Sequence, residues 1–176
     1  MTLYSIALFL HVVGALLLCV TLTVEGVALR QLRRAAMTEA AQGAAAFLRL
    51  NRIVGPLSAL GVLIPGFYMT ATSWGWVAWI VVALVSWLAI AVLGAVNGIR
   101  IVALERSQAA LLTGLRNPMF LISWMTRVGI ALGIVLLMTV KPGAVAAVLA
   151  ILVAAAAGAA SGVVLSRMRR PEREVA

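Results

Sequence analysis

Five apolar runs constrain this chain more than any other feature: Leu3 to Leu29, Ile53 to Thr72, Trp76 to Gly98, Met119 to Val140 and Gly143 to Leu165. Each is about as long as the ~20 residues a helix needs to cross the hydrocarbon core of a bilayer. A soluble domain is about half apolar and a quarter charged. Of these 176 residues 64% are hydrophobic and 11% charged, so little is left from which to build an extramembrane domain. The expected fold is all-α, a polytopic membrane helix bundle with five transmembrane helices, forming a single domain over 1–176 that ends in a basic tail at 166–176.

Two reversals punctuate the pattern. Ser73-Trp74-Gly75 separates runs that together would be twice the bilayer thickness, and Lys141-Pro142-Gly143 ends one helix and turns into the next. Proline cannot continue a helix, and glycine lets the chain turn. The first run is too long for the core of a cleavable signal and has no cationic flank before it, so it is expected to remain in the mature protein.

Orientation follows from the cations. Arg30, Arg33, Arg34, Arg49 and Arg52 follow the first span, Arg100, Arg106 and Arg116 follow the third, and Arg167, Arg169, Arg170 and Arg173 follow the fifth. Cationic loops stay cytoplasmic, which puts the N-terminus outside and the C-terminus in the cytoplasm. Trp74, Trp76 and Trp79 then form an outer aromatic belt. The net charge of +9 is thereby read as topology, with anionic lipid headgroups as its partner and no nucleic acid. Arginine outnumbers lysine 13 to 1 among the cations, which with abundant alanine and glycine suggests a GC-rich bacterial genome and the plasma membrane. Residues 31–50 and the leucine-bearing segment from Leu104 to Arg116 read either as short interfacial helices or as solvated basic connectors.

Small residues set the expected seams, because lipid tails compete equally for apolar surface and helices associate by close packing. Ala146, Ala150, Ala154, Gly158 and Gly162 recur at four-residue spacing in the fifth span, Gly129 and Gly133 in the fourth, and Gly94 and Gly98 in the third. Pro65-Gly66 is expected to kink the second span.

Polar groups at depth are costly and carry the functional signal. His11, Gly14, Leu18, Thr21 and Glu25 share one face of the first helix. Glu25 is the single acid within any span, and Arg127 lies ~4 Å from the centre of the fourth at 1.5 Å per residue. Side chains lean toward the N-terminus of their own helix. In antiparallel helices that lean brings Arg127 and Glu25 together, so an ion pair is expected, with Thr21, Ser58, Asn97 and Ser123 at similar depth. The alternative is that Arg127 snorkels to phosphate and Glu25 pairs with Arg30. In the outer half, His11 and Tyr68 both fall ~8 Å from the midplane, with Met69 beside Tyr68 and Met138 farther out. An imidazole with a thioether suits haem or copper. A hydrogen bond from His11 to Tyr68 or to a backbone carbonyl is the other reading. Cys19 is the only cysteine, so no disulfide framework exists.

No paired carboxylates, nucleophile with a grouped base, phosphate loop or His-Glu metal spacing occurs, so an enzyme is not expected. Leu10-His11-Val-Val-Gly-Ala15, Pro65-Gly66-Phe67-Tyr68, Trp74-Gly75-Trp76 with Trp79, and Leu137-Met-Thr-Val-Lys-Pro-Gly143 resemble a group of bacterial integral membrane proteins of unknown function. The His-x-x-Gly first helix is also similar to that of CopD-type copper-resistance membrane domains and of haem-associated four-helix membrane proteins. That resemblance implies copper or haem at His11. The functional expectations are an accessory or structural membrane component or a small permease. A haem or copper protein using His11, with Tyr68 and Met69, and a proton-coupled transporter using Glu25, Arg127, Asn97 and Thr21 are the alternatives. A homodimer or a larger membrane complex is the expected assembly.

Overall fold

The computed structural model describes residues 2–34, 38–104 and 117–168. Among them the chain is all-helical: α1 (Leu3–Arg34), α2 (Thr38–Met69), α3 (Ala78–Leu104), α4 (Pro118–Val140) and α5 (Ala144–Arg167). All five are long and apolar enough to span a membrane, so the protein is a multi-pass membrane helix bundle.

The spans are longer than the apolar runs that mark them. α1 continues to Arg34 and α2 starts at Thr38, so the described part of 31–50 extends two membrane helices and forms no separate interfacial helix. Alanine, glutamine and arginine are good helix formers, and a helix underway propagates through them without an apolar face. The corresponding expectation for the segment after Leu104 falls on 105–116, outside the described residues. α2 also runs through Pro56 and Pro65. After Met69 it widens into a π-helical turn at Thr70–Trp74, closed by Gly75 N–H donating to Thr70 O at 2.8 Å. Gly75 ends it at φ 67°, ψ −178°, a conformation open in practice to glycine alone.

Two helix units result. α1 packs chiefly on α2, while α4 packs on α5 and also on α3. α1 meets α4 along a shorter contact, and α2 and α3, though joined by a short reversal, hardly touch. In the first unit a Cβ on Gly14 would sit 2.5 Å from Gly61 C and 2.7 Å from Gly61 O. The helices therefore approach at the carbonyl that Pro65 leaves without its N–H donor. In the second unit Gly129 and Gly133 of α4 face Ala154, Gly158 and Ile151 of α5, and Gly162 faces Ile122. Two expected seam positions differ. Ala146 is exposed and Ala147 is buried instead, because a straight helix repeats at 3.6 residues and a strict spacing of four drifts off the seam. A Cβ on Gly98 would meet nothing within 4 Å.

The end carrying Arg30, Arg49, Arg52, Arg100 and Arg167 is called the basic end, and the other the tryptophan end. Ala28, Leu29, Leu32, Leu48, Ile101 and Phe120 form one buried apolar cluster, which ties both units together at the basic end. At the tryptophan end Trp74 Nε1 donates to Tyr4 Oη at 3.1 Å, and Lys141 Nζ lies 4.2 Å above the Trp74 ring. Lys141 itself takes a left-handed conformation, φ 52°, and caps α4 through its N–H to Leu137 O.

Candidate functional site

The site is built where the two units cross. Trp124 of α4 packs against α1 at Gly26, where a Cβ would sit 2.0 Å from the indole, and its Nε1 donates to Leu22 O at 2.7 Å. One turn further along α4, Arg127 Nη2 donates to Glu25 Oε1 and forms an ion pair. Both residues are buried, Arg127 at 5% exposure and Glu25 at 6%. On the far side Gly94 of α3 gives the guanidinium room, since a Cβ there would lie 3.1 Å from Arg127 Nη1. Arg127 thus reaches all the way across the junction between α3 and α1.

The neighbouring polar groups spend their bonding capacity elsewhere. Thr21 lines the same cavity as the pair but donates to Leu18 O of its own helix at 2.8 Å. Asn97 donates to Ser123 Oγ on α4 at 3.1 Å, which fastens α3 to α4 and leaves the pair alone. Ser58 is fully buried and donates to Gly55 O. The expected cluster therefore divides into an inter-unit ion pair and an intra-unit amide-hydroxyl bond.

Where α2 and α3 stand apart, two cavities lie between them, one above the other, while a further hollow of about 550 Å³ lies among α1, α4 and α5. The first, about 520 Å³, is walled by α1, α2, α3 and α4 and contains Glu25, Arg127, Thr21, Asn51 and Arg52. The second, about 350 Å³, lies toward the tryptophan end and is lined by His11, Met69, Met138 and the rings of Trp74, Trp76 and Trp79. Trp87 of α3 lines both. The apolar cluster at the basic end bounds the first cavity through Leu48 and Ile101.

His11 is half-buried, and its Nδ1 bonds Val62 O at 2.8 Å. A carbonyl only accepts, so the Nδ1 proton is fixed there and Nε2 is the nitrogen that remains. The ring packs on Gly66, where a Cβ would lie 3.2 Å from Nδ1. Tyr68 is 38% exposed, does not line the cavity and is not the partner of His11. Successive residues of a helix stand 100° apart, so Tyr68 and the buried Met69 cannot face the same neighbour. Among the described residues no group of three His, Cys, Asp or Glu stands close enough to hold a metal. Sequence reasoning missed Trp124 and Trp87, whose place in an apolar helix gives no signal until the neighbouring helices are known.

Comparisons of the chain with protein-family models, curated proteins and solved structures return no match.

Proposed function

We propose that this protein is a small proton-coupled permease of a bacterial plasma membrane, with Glu25 as the proton-carrying group and Arg127 as its partner. The observation that supports this reading most is the pair of stacked cavities between two helix units, sharing Trp87, with an ionisable pair at the crossing. Intramembrane ionisable residues that face a cavity mark ion and substrate paths. A solute passing between the cavities has to pass Trp87, and rocking of one unit on the other has to break or re-form the Glu25–Arg127 contact. Loop charge puts the basic end in the cytoplasm, so the apolar cluster around Leu29, Leu32 and Phe120 would be the closed inner gate.

The test uses proteoliposomes with a trapped pH dye, challenged in turn with small organic anions, organic cations and neutral amphiphiles. One class should drive a change in lumenal pH, and Glu25→Gln should abolish it while the protein stays helical. If no class moves protons through folded wild-type protein, the permease reading is wrong.

A second reading is favoured by His11. An imidazole whose Nδ1 proton is held by a carbonyl presents Nε2 in the orientation metal ligands use, and Met69 and Met138 line the same cavity. That soft donor set suits monovalent copper better than a hard ion, and it gives a haem one nitrogen and one thioether. On this reading protein purified from copper-supplemented cells carries about one metal per chain, or shows a visible haem band, and His11→Ala loses it. Metal-free, colourless wild-type protein would remove this reading.

A further inference from the structure

The Arg127 guanidinium has more to offer than Glu25 uses. Its Nη2 donates to Glu25, while its Nε is buried without a hydrogen-bond partner. Nε and Nη2 are the two donors of one edge of the guanidinium, the edge that grips a carboxylate or sulfonate with two parallel bonds. The pair therefore fills half of a fork, and a buried donor left unsatisfied is unfavourable. The cavity of about 520 Å³ that Arg127 lines is otherwise mostly apolar, with Leu60, Trp87, Ile90 and Ala91 among its walls.

We infer that this cavity binds a small organic oxyanion with an apolar body, a carboxylate or a sulfonate, and takes up one proton with it. The inference rests on the permease reading and names its substrate class. In the free state Glu25 is the carboxylate on Arg127. On binding, the proton adds to Glu25, which becomes a neutral acid and releases Nη2, and the anion's oxygens take Nη2 and Nε together. Arg127 still faces one anion, so the charge in the cavity does not change. The charged groups lining it among the described residues are Glu25 from α1, Arg52 from α2 and Arg127 from α4, and α3 contributes none. An organic cation is disfavoured, since drawing Glu25 to itself would leave Arg127 buried and unpaired beside a second positive charge.

The probe is benzenesulfonate, which stays anionic at every working pH, so any pH dependence belongs to the protein. Binding to the full chain in lipid nanodiscs, read by tryptophan fluorescence, should weaken about tenfold for each unit rise in pH, as the uptake of one proton requires. Glu25→Gln should bind independently of pH at the level wild type reaches in acid. The double variant Glu25→Gln with Arg127→Gln, which leaves no unpaired charge and so guards against simple misfolding, should not bind. pH-independent binding by wild type, binding retained in the double variant, or no binding by folded wild type would each overturn the inference. In dye-loaded vesicles benzenesulfonate should acidify the lumen. If tetraphenylphosphonium instead drives protons out while benzenesulfonate does not bind, the permease reading stands and the anion is wrong. If benzenesulfonate binds with the pH dependence above but no solute moves protons, the anion site stands and the permease reading falls.

Discussion

Arg127→Gln is expected to destabilise the protein by about 3–5 kcal/mol, the usual penalty for stranding one partner of a buried ion pair. Glu25→Gln is expected to cost about as much, because a charged arginine near the bilayer centre is then unpaired at ~2.5–3.5 kcal/mol on insertion scales. Replacing both should recover much of the loss, since two glutamines can hydrogen-bond without burying a charge. The reason to expect strong coupling is geometric: the pair joins α1 to α4 beside the Trp124–Leu22 bond and the Trp124–Gly26 contact, between the apolar cluster at the basic end and the Trp74 contacts with Lys141 and Trp79 at the other. A double-mutant cycle by steric trapping in bicelles measures this coupling. Additive single effects would mean that each charge finds its own partner, with Arg127 snorkelling as a lone cation.

The second large effect lies within one unit and has nothing to do with charge. Gly158→Val is expected to cost about 1–3 kcal/mol, toward the upper end of what overpacking does. A Cβ at that position would sit 2.4 Å from Met125 O, and one on Gly129 would sit 2.2 Å from Ala154 O. Backbone atoms cannot rotate away as a side-chain tip can, so α4 and α5 must separate along their whole seam. Gly98→Ala is the control: nothing lies within 4 Å of its Cβ, and a helix-interior alanine is favoured over glycine by about 1 kcal/mol. It should be neutral or stabilising by the same assay. Equal damage from Gly158→Val and Gly98→Ala would show that small residues here report composition and not packing.

The membrane spans were legible because twenty apolar residues in a row have few other uses, and the approach of Glu25 to Arg127 followed from depth and from the lean of side chains along antiparallel helices. Three features were not legible, each for a physical reason. Depth places Asn97 level with Arg127 but does not say which way it faces, and it turns to Ser123. Periodicity marks Gly98 as a small residue on a stripe, yet a stripe becomes a seam only if a partner helix lies against it, and Gly98 instead lines the cavity between α2 and α3. The cleft itself is a fact of pairing. Sequence neighbours usually pack together, and α2 and α3 depart from that habit because α2 is held by Gly14 on α1 and α3 by Asn97 and α4. Lys141, a cation at the tryptophan end, has a structural use in its contact with the Trp74 ring.

The claim that the ion pair is the movable joint between two helix units is tested most directly by a distance across them. Nitroxides on Leu57 of α2 and Val153 of α5, both lipid-facing at 61% and 67% exposure, report it by double electron–electron resonance in a Cys19→Ser background. The expected result is one narrow distance distribution with the pair intact, and a second, displaced population in Glu25→Gln, where no opposite charge draws Arg127 to α1. Superimposable distributions with and without the pair would mean that the units are fixed by their apolar contacts and that Glu25 and Arg127 move nothing.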